Sequence, residues 1–167
     1  MLRKSTLAVL LGASLAFASQ AHADTAKATL KDASGKAVGA ATLTDTPSGL
    51  LIKLTLAGVP AGEHAFHIHA VGKCDAPDFK SAGGHFNPTN AKHGLESPAG
   101  PHVGDMPNIY VPADGKLEIE VLNPKATVAA LHDADGSALV IHAGADDYKT
   151  DPAGNAGNRI ACGVIAP

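Results

Sequence analysis

Phe66-His67-Ile68-His69 alternates bulky apolar side chains with imidazoles in a way that constrains the whole fold. Successive side chains of a β-strand point to opposite faces, so residues two apart share one face. We therefore expect Phe66 and Ile68 to point into a core and the imidazoles of His67 and His69 to lie side by side. One such pair is weak evidence for a site, because many strands carry two histidines by chance.

Further histidines and one aspartate accompany this pair in an order that suits two adjacent metal ions. Glycine-rich segments carry several of them, as in Gly83-Gly84-His85-Phe86-Asn87-Pro88 and His102-Val103-Gly104-Asp105. Imidazole and carboxylate groups are common ligands of zinc and copper. Seven potential ligands in this order indicate a metal centre; they are His67, His69, His85, His93, His102, Asp105 and His142.

Apolar and polar residues alternate with a period of two through much of the chain. The clearest runs are 50–56 and 117–121, which are bounded by turn residues such as Pro47-Ser48-Gly49 and Asp114-Gly115. Short strands at regular spacing indicate an all-β antiparallel sandwich or barrel. Further strands are predicted over 28–30, 37–43 and 160–165.

Two long segments, 71–107 and 143–158, do not follow the strand pattern. Both are rich in Gly, Pro, Asn, Asp and Lys. Structureless loops beyond about 12–15 residues are uncommon, and they are usually functional or disordered. The first segment carries Cys74 and four of the ligand candidates, so metal and a disulfide can order it. We expect two functional loops, with disorder as the weaker alternative for the first.

Residues 1–23 have the features of a cleavable secretory signal. Arg3 and Lys4 give a positive start, residues 7–18 form a short apolar run, and Ala21-His22-Ala23 is a small-residue cleavage site. The apolar run is shorter than the roughly 20 residues that span a bilayer. We therefore expect an exported mature chain of one domain, residues 24–167, that is not membrane-bound.

The charge balance excludes some partners. The whole chain has 13 basic and 16 acidic residues, and removal of Arg3 and Lys4 leaves 11 against 16, a net charge of −5. Such a balance argues against nucleic acid and against an anionic membrane surface as partners.

Both cysteines, Cys74 and Cys162, lie in the part of the chain that would be exported. Two cysteines in an oxidising compartment most simply form one disulfide. Such a bond would close a loop of about 88 residues, which stabilises by roughly 4–5 kcal/mol in the chain-entropy description.

The chain resembles the copper/zinc superoxide dismutases that bacteria export to the periplasm. The resemblance implies an eight-stranded Greek-key barrel, a periplasmic location, superoxide as the substrate, and the same disulfide. The matching stretches are Phe66-His67-Ile68-His69, Gly84-His85-Phe86-Asn87-Pro88, Lys92-His93-Gly94, His102-Val103-Gly104-Asp105, Val140-Ile141-His142 with Ala145-Asp146-Asp147, and Gly154-Asn155-Ala156-Gly157-Asn158-Arg159-Ile160-Ala161-Cys162-Gly163.

The candidate ligands divide into two sets on chemical grounds. Zinc prefers four tetrahedral ligands, and copper(II) favours nitrogen donors in a tetragonal arrangement. The resemblance implies that His85 belongs to both sets as a bridging imidazolate, with a metal on each ring nitrogen, and that this bridge can release copper and take up a proton. The zinc set is His85, His93, His102 and Asp105, and the copper set is His67, His69, His85 and His142.

The resemblance also assigns two residues that hold no metal. Asp146 matches the carboxylate that accepts hydrogen bonds from one copper histidine and one zinc histidine. Arg159 matches the substrate arginine, whose permanently charged guanidinium attracts and orients a small anion. Arg159 and His85 are thus the expected catalytic residues, and Lys149, Lys80 and Lys73 are candidates for a positive rim.

Three other interpretations compete with that of a superoxide dismutase. A metal-buffering protein on the same scaffold would be favoured by a missing copper ligand or a missing substrate arginine, and neither is missing. A purely structural sandwich would leave seven ordered ligands unexplained. A zinc hydrolase needs an open zinc position, and the zinc set has none. The sequence leaves open whether the protein is a monomer or a homodimer.

Overall fold

Strands make up nearly all the regular structure in the computed structural model, which describes residues 24–167. The other regular elements of these residues are a 3-10 turn, Lys80–Ala82, and a short helix, α1 (Val128–Leu131). The strands of this part of the chain are β1 (Thr25–Asp32), β2 (Ala37–Thr46), β3 (Gly49–Ala57), β4 (Gly62–His64), β5 (Phe66–His69), β6 (Ile109–Val111), β7 (Lys116–Asn123), β8 (Ala138–His142) and β9 (Arg159–Val164).

Seven strands form one antiparallel sheet in the order β5-β8-β9-β1-β2-β3-β7, and β4 pairs with β6. β4 and β5 are two halves of one extended segment, interrupted at Ala65. The Ala65 N–H donates to the Gly144 carbonyl at 2.8 Å, and the Ala65 carbonyl accepts from the His142 N–H at 3.0 Å. The segment therefore passes from the small sheet to the large one. If the two halves are counted as one strand, the structure has eight strands, as predicted. The all-β antiparallel class is confirmed.

The predicted alternation places the core correctly. Leu50, Ile52, Leu54 and Leu56 of β3 are buried, while Lys53 between them is exposed. Burial of a side chain of this size stabilises by about 1.5–3 kcal/mol. On β7 the inward face is only partly covered, because this strand ends the large sheet. The strands predicted over 28–30, 37–43 and 160–165 correspond to β1, β2 and β9.

The two segments predicted as loops connect β5 to β6 and β8 to β9. The disulfide Cys74–Cys162 ties the first of them to β9 across 88 residues of sequence, as predicted. Phe79, Ala82 and Val140 are buried beside this disulfide in a small apolar cluster of their own. The first long loop is thus fixed to the barrel at a point well before its ligand-bearing part.

The predicted leader, 1–23, lies outside the described residues. Within 24–167, no helix is long and apolar enough to cross a membrane.

Candidate metal centre

Three of the ligand candidates come from two neighbouring strands. His67 and His69 lie on β5, and His142 is the last residue of β8, which pairs with β5. His85 reaches them from the first long loop, which forms an isolated β-bridge between His85 and His69. Their ligand atoms lie within 4.8 Å of one another, and all four side chains are buried. β5 is buried on both faces, so its histidines occupy an interior site.

A second group shares His85 with the first, and all of its residues come from the first long loop. It contains His93, His102 and Asp105, and its four ligand atoms also lie within 4.8 Å of one another. The Nδ1 atoms of His85, His93 and His102 lie 2.7, 3.1 and 3.2 Å from Asp105 Oδ1. Four tetrahedral ligands about 2.0–2.2 Å from one zinc ion would lie about 3.3–3.6 Å apart. The His93 and His102 spacings are close to this range, and the His85 spacing is shorter.

The hydrogen-bond partners of the His93 ring support a cation site in this second group. His93 Nε2 lies 2.9 Å from Asp146 Oδ1, and an ionised carboxylate only accepts hydrogen bonds. An imidazole with a single N–H at this position, the form that a metal ligand takes, carries that proton at Nε2 and has a lone pair on Nδ1. That lone pair points at the Asp105 carboxylate, an unfavourable contact unless a cation lies between the two.

The first group shows the same pattern. His69 Nδ1 donates to the Gly83 carbonyl at 3.0 Å, and His142 Nδ1 donates to the Gly157 carbonyl at 3.3 Å. Their Nε2 atoms, which then carry lone pairs, face each other at 3.4 Å. His67 Nδ1 and His85 Nε2 are buried and have no hydrogen-bond partner among the described residues. Four converging nitrogen lone pairs fit a copper ion.

Asp146 connects the two groups. Its Oδ2 accepts from His67 Nε2 at 2.7 Å, while its Oδ1 accepts from His93 Nε2. A partner of this kind fixes the tautomer and the orientation of a ligating imidazole. The carboxylate lies where the resemblance placed it, between one histidine of each group.

The sequence model of the family described as copper/zinc superoxide dismutase (SODC) matches residues 37–165. The chain belongs to this family. Superoxide dismutase [Cu-Zn] 1 of Aquifex aeolicus is 52% identical over 164 residues, covering 95% of this chain and 94% of that protein. The predicted activity, dismutation of superoxide, and the predicted cofactors, copper and zinc, are thereby confirmed.

Two solved structures show how far the likeness extends. The Cu/Zn superoxide dismutase from Brucella abortus is 33% identical, with a TM-score of 0.72, and the match covers 85% of this chain and 99% of that one. A SOD-like protein from Bacillus subtilis is 42% identical, with a TM-score of 0.79, and the match covers 83% of this chain and 96% of that one.

Electrostatics keep the ligands of this family member ready for metal. Burial lowers the pKa of His69 to about 2, of His142 to about 3 and of His85 to about 4. Burial raises the pKa of Asp105, but hydrogen bonds from His85 and from the Gly94 N–H outweigh it and hold that pKa well below its usual range. At neutral pH the metal-free site therefore holds His69, His85 and His142 as neutral imidazoles and Asp105 as an ionised carboxylate.

Arg159 lies beside the first group at the start of β9. Its Nη1 and Nη2 each donate at 2.6 Å, to the carbonyls of Phe79 and Gly83. The Gly83 carbonyl also accepts from His69, so a single backbone oxygen contacts both the arginine and a residue of the first group. Burial lowers the pKa of Arg159, which still remains charged at neutral pH. A cleft of about 300 Å³ is lined by Arg159 together with His69, Gly84, His85, Asn87, His102, His142, Pro152 and Ala153.

The lysines named as a positive rim are mostly paired. Lys80 Nζ lies 2.8 Å from Asp78, and Lys149 Nζ lies 2.7 Å from Glu96. Exposed pairs of this kind contribute little stability, but each places a negative charge beside the lysine. Their attraction for an anion is therefore weaker than the sequence suggested.

Sequence reasoning missed several residues that shape the site. Gly154 has φ +63°, and a Cβ there would overlap the Asp146 carboxylate. Asp151 accepts from the His93 N–H at 2.9 Å and from Lys92 Nζ at 3.0 Å. The glycine lies in a stretch that matched the family, but its partner is eight residues away within an irregular loop, so no periodicity could reveal the contact.

Proposed function

We propose that superoxide is dismutated at a copper ion held by one histidine cluster beside a zinc ion held by the other. The observation that carries the proposal is the convergence of lone pairs at two points that share one imidazole, that of His85. When bound, copper supplies the one-electron chemistry by which one superoxide is oxidised to dioxygen and a second, with two protons, is reduced to hydrogen peroxide. The proposed copper ligands are His67, His69, His85 and His142, and the proposed zinc ligands are His85, His93, His102 and Asp105.

His85 is the proposed bridge. Its Nδ1 lies in the zinc group, 2.7 Å from Asp105 Oδ1, and its Nε2 is a buried, unpartnered atom of the copper group. An imidazole with a metal on each nitrogen has lost both ring protons. His85 Nε2 can also hold a proton whenever copper does not occupy that nitrogen, so it is the proposed proton site for product formation.

Arg159 is the proposed substrate anchor. Two carbonyl oxygens fix its guanidinium at the edge of the cleft, so little reorganisation is needed when an anion arrives. Superoxide is a small anion, and the mature chain carries a net negative charge. Attraction must therefore be local, and Arg159 is the sole arginine of residues 24–167.

We propose further that residues 1–23 are removed on export and that the mature enzyme works in the periplasm without a membrane anchor. The support is the charged start, the apolar run and the small-residue cleavage site. Intact-mass measurement of the periplasmic protein tests this, and a mass that includes Met1 to Ala23 would contradict it.

The test of the catalytic assignment separates anion binding from metal binding. Arg159→Ala should keep both metals and lose much of the dismutase activity, and Arg159→Glu should lose more, because it repels the substrate. His142→Ala should lose copper and nearly all activity together. Lys53→Glu, which makes the same charge change at an exposed position on β3, is the matched control and should stay near wild-type activity.

Metal content and turnover are to be measured on the same purified samples at several ionic strengths. Screening acts over roughly 8–10 Å at ordinary salt, so wild-type turnover should fall as salt rises. A copper-replete wild type without dismutase activity would favour a metal buffer over an enzyme. An Arg159→Glu variant as fast as wild type would remove the proposed anion site.

A further inference from the structure

Asp146 lies in the second long loop, outside every strand and helix, yet its position matters to both metal groups. The residue is 4% exposed, and its carboxylate accepts from His67 Nε2 and His93 Nε2 at 2.7 and 2.9 Å. A shift of this carboxylate would turn one ligand of each group. Some part of the barrel must therefore fix the Asp146 main chain.

One side chain performs this task. Asn108 Oδ1 accepts from the Asp146 N–H at 2.8 Å, and Asn108 Nδ2 donates to the Asp146 carbonyl at 2.9 Å. A single amide thus satisfies both main-chain polar groups of a residue 38 positions away. The Asn108 N–H in turn donates to the hydroxyl of Tyr148 at 2.7 Å, which secures the chain just after Asp146.

Asn108 is itself well anchored. It directly precedes β6, and it follows the proposed zinc ligand Asp105 by three residues. The contact therefore joins the barrel and the zinc-binding loop to the start of the second loop. Neither loop has regular structure here, and the other hydrogen bonds between them, from the His93 N–H to Asp151 and from the Glu96 N–H to the Tyr148 carbonyl, lie beyond Asp146 in the chain.

We propose that Asn108 is a positioning residue for the bimetallic centre, acting through Asp146 on His67 and His93. The inference rests on the proposed ligand assignment. Asparagine is suited to the role because its side chain offers a donor and an acceptor at once. Aspartate of the same size keeps the acceptor and loses the donor, and leucine of similar size has neither.

These differences define two variants, Asn108→Leu and Asn108→Asp, both studied as full-length mature protein with zinc alone in both sites. Partners of metal ligands typically contribute 10–100-fold to metal affinity, and Asn108 acts one step further out. We expect zinc release to a chelator to be about tenfold faster in Asn108→Leu, with a smaller increase in Asn108→Asp.

A second measurement reports on the hydrogen bonds themselves. In the zinc-loaded protein, the ring N–H protons of His67 and His93 donate to Asp146 and should be visible by NMR. We expect both to exchange with solvent about tenfold faster in Asn108→Leu. Ile52→Val, which trims the buried core of β3, is the control: it lowers global stability and should leave both signals and zinc release unchanged.

The proposal is overturned if a folded Asn108→Leu keeps wild-type zinc release and wild-type exchange at both rings. If the leucine variant does not fold, the same two measurements on Asn108→Asp decide, and wild-type values there overturn the proposal. Neither readout depends on turnover. A wild type without dismutase activity would therefore contradict the proposed function. The role of Asn108 would still be decided by zinc release and proton exchange alone.

Discussion

Replacing Gly154 by alanine tests whether the Asp146 carboxylate is held as tightly as its contacts indicate. A Cβ at this position would overlap Asp146 Oδ1 and would lie 2.7 Å from His93 Nε2. Neither atom can retreat easily, since the carboxylate also accepts from the Tyr148 N–H at 2.7 Å and both side chains are buried. The substitution should therefore break or lengthen the contact between Asp146 and His93.

Two costs add up to the expected effect. A non-glycine residue at φ +63° costs about 1–2 kcal/mol. Loss of a buried hydrogen bond to a charged group costs about 1.5–3 kcal/mol. The sum is about 2.5–5 kcal/mol, which for a domain of this size lowers the melting temperature by about 8–15 °C.

Gly35→Ala is the matched control. Gly35 has φ +84°, and a Cβ there would meet no atom within 4 Å, so only the backbone cost applies. Calorimetry on the metal-free and zinc-loaded forms should place Gly35→Ala about 3–6 °C below wild type in both. Gly154→Ala should fall well below that, with faster zinc release. Equal melting temperatures for the two variants in both forms would refute the claim that the carboxylate is fixed.

Three further outcomes are expected. Cys74→Ser should lower the free energy of unfolding by roughly 4–5 kcal/mol in denaturant titrations, and thiol labelling of the unreduced wild type should find no free thiol. His93→Ala and Asp105→Ala should empty the zinc site and lower the melting temperature, and unchanged zinc stoichiometry in both would contradict the ligand assignment. Burial lowers the pKa values of His85 and His142 to about 4 and about 3, so the unfolded chain binds more protons below pH 6.5. The metal-free protein should therefore be most stable above about pH 6.5. Toward pH 4 it should lose up to about 1.4 kcal/mol of stability per pH unit for each of these histidines. Urea titrations that show no such loss would count against neutral buried imidazoles at these two positions.

The strands were predictable because their signal is local. In β3 each inward leucine or isoleucine is two residues from the next, so the sequence alone reveals the buried face. The break at Ala65 was not predictable in this way. It depends on hydrogen bonds to Gly144 and His142, which are almost 80 residues away, and alanine carries no turn signal of its own.

The candidate metal ligands could be predicted from the sequence, whereas the residues that position them could not. Histidine is uncommon enough that six histidines and one aspartate in a fixed order are informative, whereas Asn108 is one of several asparagines in loops. Its role follows from the approach of two loops, which no spacing encodes. The contribution of the lysines to a positive rim was overestimated for a related reason. The folded chain brings Glu96 next to Lys149 and Asp78 next to Lys80, and the sequence alone does not show these pairs.

The two metal groups differ in what holds them, and this difference has a physical consequence. The proposed copper group takes three ligands from β5 and β8, whose shape is set by the hydrogen bonds between these paired strands. The proposed zinc group takes all four ligands, including the shared His85, from the first long loop, which has only isolated β-bridges at these positions. Zinc binding should therefore contribute directly to the order of that loop. His85 and Asp146 then transmit that order to the copper side. Loss of zinc should therefore disturb the copper site, whereas loss of copper should leave the zinc loop largely intact.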